Sequence, residues 1–175
     1  MVGSILDVVE KEYSTISKAA NEFLPTLTGK DIKTDISLAG EMAGLKLLRA
    51  TGFDHSKIEA GTAILGVIPD EALDLMSSFL SGWANSNALA DGEMEEGDLP
   101  EDVTPYLPEV VTYEAAFDQI CRQNNIHAEL VPFVAASAAL KLVASGKKLN
   151  VLDSQIGLSM VMYHIISGSK TVPNH

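Results

Sequence analysis

Two stretches of this 175-residue chain restrict its fold more than anything else in it: Ile36 to Ala50 (ISLAGEMAGLKLLRA) and Val131 to Ser145 (VPFVAASAALKLVAS). Each reads as a helix that is apolar on nearly every side and rich in Gly and Ala. Such a helix has no face to offer water, so it belongs in the middle of a bundle with neighbours all round. In the first stretch Gly40 and Gly44 form G-x-x-x-G, with Ala39 and Ala43 alongside. Small residues at that spacing let a second helix cross at close range.

The other helices show a single buried stripe. Ile5, Val9, Tyr13, Ile16, Ala20 and Phe23 recur at spacings of three and four, which predicts an outer helix from Ser4 to Phe23, closed by Pro25. Thr34 or Asp35 is placed to cap the Ile36–Ala50 helix, and Gly52 stands where a helix-ending glycine is favoured. Asp54 or Ser56 can cap a short helix over Lys57–Val67. Pro69, Asp70 and Glu71 then open an outer helix with the stripe Ala72, Met76, Phe79, Trp83 and Asn87. A further outer helix takes Glu109 to Asn124. Glu129–Ser145 is central and ended by Gly146, and a third central helix runs from Asn150 to Ile166 before a frayed tail with Gly168 and Pro173. The expected class is all-α: a compact bundle of six to seven helices in a single domain, 1–175.

An internal echo suggests two pseudo-repeated three-helix halves, 4–88 and 109–169, around the Ala/Gly-rich central helices. AGLKLLRATG (Ala43 to Gly52) matches AALKLVASG (Ala138 to Gly146) with one gap, and DVVEKE (Asp7 to Glu12) lies on EVVTYE (Glu109 to Glu114). Shared composition alone makes Ala/Leu-rich helices resemble one another. The repeat therefore carries a geometric expectation: Lys46 and Lys141 occupy equivalent places, each reaching the acid on the next helix of its own half, Glu59 or Asp153. The halves are joined by an acidic loop, 90–108, read as a solvated linker.

Charge and composition exclude several classes. The net charge is −12, and from Ile58 to Cys121 there are fourteen acids and no Lys or Arg. An acidic middle repels phosphate backbones and anionic lipid, which speaks against nucleic-acid and membrane partners. Asp7, Glu10 and Glu12 interrupt what a signal peptide would need, and no run reaches the roughly 18 apolar residues of a membrane span; Ile156 to Ile166 comes nearest. One cysteine, Cys121, excludes an intrachain disulfide and suits a cytoplasmic protein. Beside an apolar stripe it reads as a small buried hydrophobe.

No catalytic constellation emerges. The four histidines (His55, His127, His164, His175) lack a Glu three residues upstream, so the E-x-x-H pairs of helical di-iron sites are missing. The acids from Asp91 to Asp102 have calcium-loop spacing, but Glu96 stands where the turn needs Gly. No phosphate-binding glycine motif is present. No metal or cofactor is expected.

One polar residue is out of place. Glu41 falls between Leu45 and Leu48 on the most apolar side of its helix. A carboxylate there must find a partner or keep its proton. The plainer outcome is a buried ion pair; the functional one is an acid/base or ligand anchor in a pocket between the central helices, with His164 and Tyr163 as further polar contacts. Trp83, with Phe79 and Met76 on the same stripe, would anchor a protein interface. Two functions follow from different classes. The first is a non-enzymatic protein-interaction or scaffold domain that self-associates as a dimer. The alternative is a small-molecule binder or enzyme using Glu41 and His164.

Overall fold

The helix Ile32–Ala50 (α3) is the axis of the molecule, and its two glycines explain why. A Cβ on Gly40 would lie 2.9 Å from the His164 Cβ, and one on Gly44 would overlap the Ile165 carbonyl oxygen. From the opposite side a Cβ on Gly168 would overlap the Glu41 carbonyl oxygen. Backbone therefore rides on backbone where α3 crosses the helix Ser154–Ser169 (α7), with no side chain between. The helix Val131–Lys148 (α6) packs against both, burying every residue from Pro132 to Leu140. Every residue of α3 from Ile36 to Lys46 is buried as well.

The computed structural model describes residues 2–28, 31–87 and 106–174. Among these, four further helices surround the central three: Val2–Lys11 (α1), Tyr13–Phe23 (α2), Asp70–Ser86 (α4) and Glu114–Gln123 (α5). Over the described residues the fold is an all-α bundle of seven helices, as the apolar periodicity requires. The acidic stretch 90–108 lies outside the described residues apart from 106–108, and so does the Asp91–Asp102 calcium-loop pattern.

Several local readings are corrected. The first expected helix is two, bent at Glu12, where ψ is 10°, although the Glu12 N–H still donates to Val8 and its C=O still accepts from Ile16. Helix α3 begins earlier than expected because Asp31, not Thr34 or Asp35, is its cap; the Asp31 carboxylate accepts from the Thr34 N–H at 2.8 Å. Gly146 does not end α6 but lies inside it, where a Cβ would come within 2.9 Å of the Leu152 Cβ. The chain turns instead at Asn150, with φ +56°. Residues 108–113 form a 3₁₀ turn ahead of α5, with Pro108 at its start.

The helix expected over Lys57–Val67 is absent. Gly61 and Gly66 take φ of +87° and +76°, which breaks any helical run. The backbone groups freed there pair with the C-terminal segment: Gly61 N–H to Val172 O, Val172 N–H to Thr62 O and Ile64 N–H to Lys170 O, each 2.8 Å. Val172 is buried with Leu48, Ile64 and Ile68, so the tail is pinned, not frayed.

The lysine contacts expected of a repeat are also not formed. Lys46 meets Glu114 and Asp118 of α5, both at 2.5 Å, and not Glu59. Lys141 donates to Ser17 of α2 at 2.8 Å, and not to Asp153. Each instead reaches the outer helix of the other proposed half, and the first half lacks its third helix, so the pseudo-repeat is not confirmed.

The segment 128–148 is long and apolar enough to cross a membrane, which the reading of Ile156–Ile166 as the nearest approach overlooked. Its most apolar window is 61% buried against the rest of the chain, as in the core helix of a bundle.

Candidate functional site

The α3–α7 crossing brings together the two polar residues that sequence reasoning singled out on the central helices. Glu41 Oε1 and His164 Nδ1 lie 2.8 Å apart, and both residues are 0% exposed. The glycines position them: with no side chain at 40, 44 or 168, the helix axes approach until Glu41 and His164 meet across the contact. Tyr163 is half-buried, its ring edge-on to the His164 imidazole at 5.0 Å.

Burial pushes the Glu41 carboxyl above the usual carboxylate range, and the hydrogen bond and charge of His164 work against this. The Ser167 hydroxyl and the Leu107 backbone N–H also favour the charged form. Neither completes a hydrogen bond to Oε2, which has no partner of normal geometry among the described residues. His164 Nε2, Ser137 Oγ and the Tyr106 hydroxyl are buried and unpartnered in the same sense. Burial and the Glu41 charge push the Tyr106 phenol up to about 12, with Arg49 opposing and Glu109 assisting.

A second polar cluster lies further along α3. Arg49, two turns beyond Glu41 on α3, binds Glu114 through Nη2 to Oε1 at 3.0 Å and Nε to Oε2 at 3.2 Å. Its Nη1 is 3.2 Å from His55 Nε2. With Lys46 on the same carboxylate, two cations of α3 hold the start of α5. Burial raises the Glu114 carboxyl, but the hydrogen bonds and charges of Arg49 and Lys46 outweigh it and hold it below its ordinary value.

The expected interface residues lie inward. Met76 and Phe79 are buried, Phe79 edge-on to Phe133 at 5.2 Å, and half-buried Trp83 donates its indole N–H to the Tyr13 hydroxyl. Among the described residues no group of three His, Cys, Asp or Glu is placed to hold a metal ion. A cleft of about 470 Å³ opens away from Glu41, at the α6–α7 corner, lined by Lys147, Asn150, Val151, Leu152, Asp153 and Ser154. Leu149 and Val151 at that corner are 67% and 58% exposed.

Sequence reasoning missed Tyr106, Ser167 and the partners of Lys46. Tyr106 sits between two prolines at the end of an acidic run with no periodicity, so nothing local marks it. No protein-family model, curated protein or solved structure matches this chain.

Chemically, the pair can share and store a proton. Both side chains are buried, and backbone fills the crossing beside them.

Proposed function

We propose that this chain is a non-enzymatic helical interaction protein of the cytoplasm that pairs with a second copy of itself, with neither nucleic acid nor membrane as partner. The observation that carries this reading is the α6–α7 corner. Leu149 and Val151 stand exposed two positions apart, and among the described residues Leu65 is the other large apolar side chain more than half exposed. Lys148 and Asp153 flank them, and both are exposed. A two-fold pairing brings the same patch together from both copies, so a base and an acid on one patch allow unlike charges to face each other.

The test is native mass spectrometry with sedimentation velocity, on the wild-type chain and on the double variant L149E/V151E. A wild-type dimer that the variant converts to a monomer is the expected result. A wild-type monomer at about ten times the micromolar concentrations typical of specific association would overturn the reading. A second reading, small-molecule binding at Glu41 and His164, draws on the unpartnered Oε2 and Nε2. The same spectra separate it, because a monomer carrying a retained small molecule supports that reading against ours.

A further inference from the structure

Lys46 and Lys141 hold matching places in two alike stretches, AGLKLLRATG and AALKLVASG, yet meet opposite surroundings. Lys46 lies between two carboxylates, Glu114 and Asp118, each at 2.5 Å. Half-buried Lys141 instead donates from Nζ to the Ser17 hydroxyl of α2 at 2.8 Å, and it makes no ion pair among the described residues. A hydroxyl fills a hydrogen-bond site but brings no countercharge, so nothing offsets the cost of keeping the ammonium charged there. The acids on the elements packed against α6 are placed elsewhere. On α2, exposed Glu22 faces Lys18 at 3.9 Å and accepts from Asn124. On α3 they are Asp35, in the first turn, and Glu41, bonded to His164. Asp70, Glu71 and Asp74 of α4 are exposed, and α7 has no acid. Burial is accordingly the single influence on the Lys141 amine, and it pushes the group below the ordinary value of 10.5.

We propose that Lys141 is an acylation site, its ε-amine positioned by Ser17 to take a short acyl group from an activated donor, an acyl phosphate or an acyl thioester. A lysine is nucleophilic only as the free amine, and a site without a countercharge favours that form. With one N–H given to Ser17 Oγ, the free amine keeps its lone pair for the acyl carbonyl carbon. The C–N bond forms as the C–O bond of the phosphate, or the C–S bond of the thioester, breaks. The leaving group departs with that electron pair, and the proton shed by nitrogen passes to water. The amide product retains one N–H, so the bond to Ser17 and the α2–α6 contact outlast the reaction. Lys141 and Ser17 are both half-buried, which leaves a small donor an approach that Lys46, 9% exposed, does not offer. This inference is independent of self-association at the α6–α7 corner.

The test compares lysines within one folded chain. The protein is incubated at about pH 7.5, where an ordinary lysine is almost wholly protonated, with acetyl phosphate in one arm and acetyl-coenzyme A in the other. Peptide mass spectrometry then follows acetylation at each lysine. Lys141 is expected to react at least about threefold faster than exposed Lys18, Lys57 and Lys148 in one arm or both, and the arm that shows the lead identifies the donor class. In urea the lead should vanish, because only ordinary amines remain. S17D, which sets a carboxylate beside the amine, should also remove it while the helical circular dichroism is kept. If S17D does not fold, the native and urea rates of the wild-type chain decide alone. A Lys141 no faster than the exposed lysines in both arms, a lead that persists in urea, or a lead kept by folded S17D would each overturn the proposal.

Discussion

Gly44 of α3 stands so close to Ser169 of α7 that a Cβ on it would lie 2.6 Å from the Ser169 amide nitrogen. The clash is with backbone, which has no rotamer to move aside. Everything specific to this fold depends on that approach: the filled crossing, the sealed Glu41–His164 pair and the burial of α3 on all sides.

A methyl group at Gly44 must therefore separate two helices. G44A should lose about 3 kcal/mol in urea denaturation, the upper end for overpacking, which for a chain of this size is a fall of roughly 6–12 °C in melting midpoint. Gly82 supplies the control. It lies in α4, is exposed, and a Cβ there would meet nothing within 4 Å. G82A should instead gain about 0.5–1 kcal/mol, since only chain entropy and helix propensity change. Equal effects of the two substitutions would mean that α3 and α7 do not touch.

The clamp on α5 predicts a response to acid. Glu114 is paired with Lys46 and Arg49, and its carboxyl is held below the ordinary value of 4.5. Its contribution is then present above pH 4.5 and is lost as pH falls through the lower folded value. E114Q should cost about 2 kcal/mol at neutral pH, because Lys46 is left buried with Asp118 alone, and should flatten the acid limb of the stability profile. An unchanged acid limb in E114Q would show that the clamp is not formed in solution.

The sequence made the central helices legible and left their partners obscure, for a physical reason. Gly40, Gly44 and the alanines of 131–145 state how near a neighbour comes, which is local information. They do not state which neighbour: the likeness of 43–52 to 138–146 points Lys46 to Glu59, whereas its partners sit on α5. Glycine carried two meanings that spacing cannot separate. Gly146 and Gly168 look like helix stops, yet both lie within helices because a neighbour needs the room. The segment 57–67 had helix-like apolar spacing, but its hydrogen bonds are made with residues 170–172, a hundred positions away. Glu41 was legible as a misplaced charge, and His164 as its companion in one cavity. Tyr106, whose phenol feels the Glu41 charge, was not, since a single aromatic in an aperiodic run carries no signal.

Cys121 should behave as an inert thiol. It is buried on α5, and burial together with nearby Asp118 pushes its pKa up to about 12, with Lys46 and Arg122 opposing. The nucleophile is the thiolate, which such a site suppresses. Native protein at about pH 8 should resist a disulfide reagent that titrates one thiol at once in denaturant. Rapid modification of the native protein would place α5 away from the core.

The buried pair itself can be dissected by replacing it with hydrocarbon. E41L strands an imidazole at 0% exposure, and H164L strands a carboxyl that already resists ionisation. Each single variant should lose about 3–5 kcal/mol, whereas E41L/H164L should recover most of it, because breaking a buried polar pair costs more than substituting both members. The pH dependence supplies a second readout. Folded Glu41 binds its proton more tightly than the unfolded carboxyl does at 4.5. Its contribution is therefore complete below that value and declines as pH rises through the higher folded value, the opposite sign to Glu114. Wild-type stability minus that of the double variant, measured by urea unfolding at each pH, should fall along this limb. A difference that stays constant with pH would mean that the two side chains share no titrating proton, and singles that cost no more than the double would mean that they are not a pair at all.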